Sequence, residues 1–404
     1  MRLRVKMASL FAAILVAPAA YAQSPGVTPQ QITLGTILPF SGPASSYSVS
    51  GQASIAYFDK INAEGGINGR KIKVISYDDA YSPSKTVEQA RKLIESDEVL
   101  LLYGTFGTPT NVAIMRYMNA KKVPLLFVVS GGTIFGDYRK SPWTMGFRPS
   151  YQSEGQIYAK YILKTKPDAK VAVLYQNDDF GKDHLTGLKA GLEDRASRMI
   201  VAEAPYETAE PTIDSQIVRL KASGADVFIL FSSNKFSAQA LRKSAEIGWD
   251  ALRILAGASS SVGAVMKTAG FSNVQGVVSA TTQKDPDDPQ WSDDAGVKRW
   301  REFMDKYYPS GDRHDLTVVS GYSTAQILTG ILGELGRDIT RERVMDVASN
   351  LQINQLDMLL PGIQLKTSPT DHYPIEQMQL VKFSGEHWAL FGDIIDAGKI
   401  AIAD

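Results

Sequence analysis

Gln31-Ile-Thr-Leu-Gly-Thr-Ile-Leu38 and Lys71-Ile-Lys-Val-Ile-Ser-Tyr77 are short β-branched runs, and between them Gly51 to Ala63 carries apolar residues at helical spacing. A strand, an amphipathic helix and a second strand in this order read as a parallel crossover unit. The alternation continues outward. Ser84 to Ile94 reads as a helix, with Val87, Ala90, Arg91 and Ile94 on neighbouring turns. Val99-Leu-Leu-Leu-Tyr103 and Val123-Pro-Leu-Leu-Phe-Val-Val129 read as further strands. Repeated strand-helix alternation implies an α/β fold with a parallel sheet covered on both faces.

After the connection Trp143 to Pro149 the pattern restarts with a helix from Tyr151 to Leu163. Strands follow at Lys170 to Tyr175, Met199 to Ala204, Ala225 to Phe231, Arg253 to Leu255 and Val277 to Thr281. This second series predicts a second doubly wound lobe. Three helical stretches then come without strands between them, at Asp293 to Tyr307, Thr317 to Leu335 and Arg341 to Ser349. They need a surface to cover, so the chain is expected to return to the first lobe. Ile375 to Phe391, alternating on either side of Ser384-Gly385-Glu386, reads as a hairpin on the second lobe. The expected layout is a first lobe from residues 23–148 and 281–358, and a second from 149–280 and 359–404.

The start of the chain reads as an export signal. Arg2, Arg4 and Lys6 precede an apolar stretch from Met7 to Ala17, and Ala20-Tyr21-Ala22 is an A-x-A cleavage site. The apolar stretch falls short of the roughly 20 residues that a membrane span needs. A periplasmic protein beginning at Gln23 is the expectation. Lys plus Arg and Asp plus Glu are equal at 43 each, so the overall charge gives no reason to expect nucleic acid as a partner. The absence of cysteine excludes disulfides, thiolate metal sites and cysteine nucleophiles.

Several local sequences resemble the leucine/isoleucine/valine-binding branch of the periplasmic binding proteins with the type I fold. They are Leu38-Pro-Phe-Ser-Gly-Pro43, Ile61-Asn-Ala-Glu-Gly-Gly-Ile-Asn-Gly69, Tyr77-Asp-Asp-Ala-Tyr-Ser-Pro83, Tyr175-Gln-Asn-Asp-Asp-Phe-Gly181 and Ser223-Gly-Ala-Asp-Val227. The resemblance implies two Rossmann-like lobes joined by three crossovers, with a ligand held between them at the carboxyl ends of the strands. Hinges are then expected at Phe147 to Ser150, including Pro149, at Ser279 to Gln283, including Thr281, and at Asp357 to Pro361. The implied function is that of an ABC importer's solute-binding component, a monomer that hands a small molecule to membrane permease and ATPase subunits, without cofactor or metal.

Turns just past strand ends present backbone N–H groups and small hydroxylic side chains. Gly104-Thr-Phe-Gly-Thr-Pro-Thr-Asn111 and Ser130-Gly-Gly-Thr133 are such turns. In leucine-binding relatives the positions of Thr108, Gly131 and Thr133 hold the ligand's carboxylate, and Ser130 begins the second turn. The alternative is that Thr108 and Thr133 are only helix caps. Tyr47 and Phe180 match positions of cleft aromatics, with Phe106 and Trp143 as further candidates, although aromatic residues fill cores as readily. Where amino-acid binders carry a glutamate for the ligand's ammonium this chain has Ser259, and Ser233 stands where they have a pocket tyrosine. A hydroxyl cannot neutralise a buried cation, so the expected solute is a small organic or aromatic acid. The runner-up is an amino acid whose ammonium meets Asp178 or Asp179.

Enzymatic parts are missing. Gly257-Ala-Ser-Ser-Ser261 lacks the closing glycine of a nucleophile turn, and His184, His314, His372 and His387 have no ligand spacing. A ligand sensor with the same fold is the other alternative, indistinguishable from a transport protein by sequence. Export is the readily checked step: mass spectrometry of the periplasmic protein is expected to give Gln23 as the first residue, and an intact Met1 in a soluble cytoplasmic fraction would contradict it.

Overall fold

Central strands of parallel sheets are buried on both faces and read as unbroken apolar runs. The computed structural model, which describes residues 24–396, is built on two such sheets. The first contains β1 (Gln31–Leu38), β2 (Lys71–Asp78), β3 (Leu102–Tyr103), β4 (Leu125–Val128) and β5 (Thr144–Gly146), in the order β2-β1-β3-β4-β5 with every pairing parallel. All four residues of β4 are buried. Met1 to Ala22, read as a signal, lies outside the described residues.

The second sheet is built from β6 (Val171–Gln176), β7 (Ile200–Tyr206), β8 (Val227–Phe231), β9 (Leu252–Leu255) and β10 (Val278–Thr281). A short antiparallel ribbon of β11 (Gln352–Ile353) and β12 (Leu365–Lys366) comes next in the chain. The hairpin β13 (Gln377–Ser384) and β14 (His387–Asp396) then adds to the second sheet, giving the order β14-β13-β10-β9-β8-β6-β7. Apart from that antiparallel hairpin, the second sheet repeats the winding of the first: the opening strand lies between the second and the third. The sequence reading therefore agrees with the observed α/β architecture of two doubly wound lobes. It missed β5, three residues of the connection after Trp143 that pair with β4, and it missed the β11–β12 ribbon.

Helices α1 (Ser48–Ala63), α2 (Pro83–Arg91) and α3 (Thr108–Ala120) alternate with the strands of the first sheet. Those of the second are α4 (Tyr151–Thr165), α5 (Asp179–Leu192), the single turn α6 (Ala196–Met199), α7 (Asp214–Ala222) and α8 (Asn234–Glu246). Side-chain caps mark several starts: Ser150 accepts from the Ser153 amide and Asp178 from the Phe180 amide. The strandless helices α9 (Ala295–Tyr307), α10 (Leu316–Glu334) and α11 (Arg341–Ala348) return to the first lobe as expected. There Tyr322 of α10 meets Tyr57 of α1 edge to face at 5.0 Å and Phe303 of α9 at 4.9 Å.

The chain passes between the lobes after β5, after β10 and, following residues 365–373, on the way into β13. Phe147 to Ser150 joins β5 to α4, and the amide of Phe147 bonds the Val128 carbonyl at 3.2 Å. The segments expected as the second and third hinges run side by side: Lys284 N–H donates to the Met358 carbonyl at 2.9 Å and Leu360 N–H to the Thr282 carbonyl at 3.0 Å. Past Pro361 the chain departs from the expected layout. His372 Nδ1 lies 3.1 Å from the Thr144 carbonyl and the Tyr373 hydroxyl donates to the Thr133 carbonyl at 2.6 Å. Residues 365–373 thus still hold to the first lobe, tied by the β11–β12 pairing, before β13 enters the second sheet.

Helices α1 and α10 approach so closely that a Cβ added to Gly321 would stand 1.8 Å from the Ser50 carbonyl oxygen. No rotamer relieves contact with backbone, so the helices must separate. Gly321→Ala is expected to lower stability by about 1–3 kcal/mol, the usual range for overpacking. Urea unfolding measures it, and an unchanged midpoint would show that this contact yields without cost.

Candidate ligand cleft

In an open sheet the crevice for a ligand opens where strand order reverses, outside the carboxyl ends of the strands. In the first lobe that point lies between β1 and β3, whose following loops carry Tyr47 and Gly104 to Thr108. In the second it lies between β6 and β8, followed by Asp178 to Phe180 and by Ser232 to Asn234. These four loops face one another. They line a cavity walled by the rings of Tyr47, Tyr81, Phe106, Tyr151 and Phe180, together with Thr108, Gln176 and Ser233. Tyr47 and Phe106 stack at 4.3 Å, with Tyr81 at 5.9 Å from Phe106, while Phe180 meets Tyr151 edge to face at 5.1 Å.

The lobes touch directly across this cavity. Tyr47 Oη accepts the Asn234 amide at 3.0 Å and lies 3.2 Å from Ser259 Oγ, and Asn234 Nδ2 donates to Ser46 Oγ at 3.1 Å. Burial pushes the Tyr47 phenol up to about 12, against the pull of these hydrogen bonds and of the Arg148 charge. At the outer rim the Thr133 amide and hydroxyl both donate to Asp183 Oδ2, at 2.8 and 2.9 Å. Gln152 Nε2 holds the other oxygen of that carboxylate at 2.8 Å. The cavity keeps only about 30 Å3 of free space, room for one or two waters. A larger guest needs the lobes to part.

Arg148 is the one charged residue in the lining, and the sequence reading passed over it between Phe147 and Pro149. Its guanidinium is half-buried and makes no hydrogen bond or ion pair with any described residue. A guanidinium has five donors and no acceptor. Half-buried and without a protein partner, it leaves these donors open to an anion. The signal that would have found it is an arginine in a hinge segment, one residue from a proline, where the chain turns into the cleft.

Glu154, a buried carboxylate beside the cleft, is already bonded. Glu154 Oε1 accepts the Tyr158 hydroxyl and the Gly257 amide, each at 2.7 Å, and Oε2 lies 3.4 Å from His184 Nε2. Burial raises the Glu154 pKa, but the His184 charge and these hydrogen bonds outweigh it and hold the group below its usual range. His184 is itself fixed between the Tyr151 ring at 4.0 Å and the Phe231 ring at 4.8 Å. Asp178 is engaged as the cap of α5 and by Gln176 Nε2 at 2.6 Å, while burial raises its pKa.

The residues singled out from sequence fall into two groups. Tyr47, Phe106, Thr108, Phe180 and Ser233 line the cavity. Ser130, Gly131 and Ser259 stand behind it. Ser130 Oγ bonds Thr108 Oγ at 2.8 Å and accepts the Gly132 amide at 3.0 Å, and Ser259 Oγ donates to the Ser232 carbonyl at 2.5 Å. Gly131 accepts the Tyr151 amide at 2.7 Å, and a Cβ there would stand 2.7 Å from the Tyr151 ring. Thr133 lies at the rim, its donors on Asp183. Thr108 is not a side-chain cap, since no such bond is made at the start of α3. Trp143 sits just before β5, its amide donating to Asn119 Oδ1 at 2.8 Å, outside the cavity lining. Among the described residues no cluster of three His, Cys, Asp or Glu is arranged to hold a metal ion.

A family model described as periplasmic binding protein matches residues 31–387. Leu/Ile/Val-binding protein homolog 7 of Brucella suis is 26% identical over 227 residues, which is 54% of this chain and 56% of that protein. The chain thus matches little more than half the length of that curated relative. A branched chain amino acid ABC transporter structure from Thermus thermophilus with bound valine superposes with a TM-score of 0.81 at 17% identity, covering 91% of this chain and 96% of that one. A solute binding protein of an ABC transporter from Rhodopseudomonas palustris, in complex with 3,4-dihydroxy benzoic acid, gives 0.75 at 20% identity, covering 91% and 98%. Such identities speak for the fold, two lobes of the type I kind, and the relatives are binding proteins rather than enzymes. With nearly all of both lobes inside the matched span, the chain belongs to the periplasmic binding protein family.

Proposed function

We propose that this protein is the solute-binding component of an ABC importer, acting in the periplasm, and that its solute is a small organic acid. One observation carries the choice of ligand: Arg148 enters an aromatic-walled cleft with its guanidinium unpartnered, and no carboxylate lines that cavity. A carboxylate reaching Arg148 gains charge-assisted hydrogen bonds about twice as strong as neutral ones. An ammonium would meet the arginine's repulsion and find Glu154 and Asp178 already bonded. Valine and 3,4-dihydroxybenzoic acid, named with the two structural relatives, both carry a carboxyl group, which supports the anionic half of the reading.

The binding cycle follows from the fold. Parting of the lobes about the three crossings exposes Arg148 and the rings. A flat or branched apolar body then lies between Tyr47 and Phe106 on one side and Tyr151 and Phe180 on the other. Closure remakes the Tyr47–Asn234 bond and removes the ion pair from water, where it is screened least. Delivery to permease and ATPase subunits would use the closed form as the signal of loading.

Calorimetry with matched pairs tests the ligand class: leucine against 4-methylpentanoate, and phenylalanine against 3-phenylpropanoate. The deaminated acids are expected to bind and the amino acids to bind weakly or not at all. Arg148→Gln should weaken the acids by about 2–5 kcal/mol, the cost of removing one partner of a desolvated charge pair. Tight binding of the amino acids alone, or acid binding indifferent to Arg148→Gln, would overturn the organic-acid reading.

A further inference from the structure

A second cavity, also with about 30 Å3 of free space, adjoins the first on the hinge side, and the two share Arg148 and Ala258 as walls. Its chemistry is different. No aromatic ring lines it. Its walls come from the two hinge crossings at Pro149 and Thr281 to Gln283, from the first turns of α10 at Thr317 and Ser320, and from the 257–261 turn. Glu154 is its one acidic lining residue, committed to Tyr158, the Gly257 amide and His184. Asp315, just behind, is held by the Ser261 hydroxyl at 2.6 Å and the Thr317 amide at 2.7 Å.

One donor is left over. Gln283 is 8% exposed, its Oε1 accepts the Ser320 hydroxyl at 3.1 Å, and its Nε2 has no hydrogen-bond partner among the described residues. Gln283 lines the compartment, so this donor is open to a guest there. Thr282 and Thr317 bring hydroxyls to the same lining, that of Thr317 bonding the Asp315 carboxylate. A compartment with an open amide donor, hydroxyls and no free carboxylate suits a neutral acceptor better than an ammonium or a second anion.

Resting on the organic-acid reading above, we propose that the hinge-side compartment is a second ligand subsite, which takes a neutral amide attached next to the ligand's carboxylate. The carboxylate sits at Arg148, where the two compartments meet, the apolar side group enters the aromatic compartment, and the amide carbonyl accepts from Gln283 Nε2. The solute class is an N-acylated amino acid, in which acylation has removed the charge that this cleft has no means to neutralise.

The test is calorimetry on the mature protein with N-acetylphenylalanine against 3-phenylpropanoate and N-acetylleucine against 4-methylpentanoate. The acylated member of each pair is expected to bind at least tenfold more tightly. In Gln283→Leu that ratio is expected to fall to near one, and Gln283→Glu, which keeps an acceptor for Ser320 but loses the amide donor, should lower it as well. Each ratio is read within one preparation, so a partly unfolded variant does not distort it. Equal binding within both pairs, or a ratio untouched in both variants, overturns the second subsite and leaves the carboxylate reading standing. If none of the four acids binds, the organic-acid reading and the subsite fall together.

Discussion

Parallel strands oblige every connection to cross the sheet through a helix, so the loops that leave the strands all emerge at one edge. Everything functional in this protein follows from that constraint applied twice. Each sheet places its opening strand between the second and third, and the loops diverge there and leave a crevice. Two such crevices face each other because the chain crosses between the lobes at Phe147 to Ser150 and again where Thr282 pairs with Leu360. The cleft is therefore a property of topology, and the residues that happen to stand in four loops decide its chemistry.

Electrostatics separates the charges near the cleft into carboxylates that are bonded within the structure and one arginine that is not. Glu154, Asp178 and Asp315 each accept several hydrogen bonds from fixed donors. Such carboxylates organise their surroundings, and breaking one of these arrangements leaves an uncompensated charge. Arg148 differs in having none. It stands one residue before Pro149, in the segment that joins β5 to α4.

The layered architecture was legible in the sequence because strand and helix periods are strong signals: β1 matched its expected span, and the excursion of α9, α10 and α11 followed from helices without intervening strands. Short pairings were not legible. β5 is three residues whose pairing depends on β4 beside it, and β11 and β12 are two residues each, below any periodic signal. At the cleft, the loop positions after β1, β3, β6 and β8 could be read from topology, and Tyr47, Thr108, Phe180 and Ser233 do stand in the cavity lining. Side-chain partnerships could not. Nothing in the order of residues says that Thr133 will meet Asp183, fifty positions away and on the other lobe, or that Arg148 will meet nothing.

That last contrast bears on how closure and binding are coupled. A ligand shifts the open–closed balance only by its differential affinity for the two forms. In the closed form the donors of Thr133 are bound by Asp183 and the Tyr47 hydroxyl by Asn234 and Ser259. These bonds are made between the lobes themselves, so they favour closure whatever the guest and cannot discriminate among solutes. Discrimination has to come from groups that closure leaves unpaired, and in the proposed reading those are the guanidinium of Arg148 and, beyond it, the amide donor of Gln283. The division is physically economical. On the proposed reading, rim contacts set how readily the lobes shut, while two open donors in the cleft set which molecule makes shutting favourable.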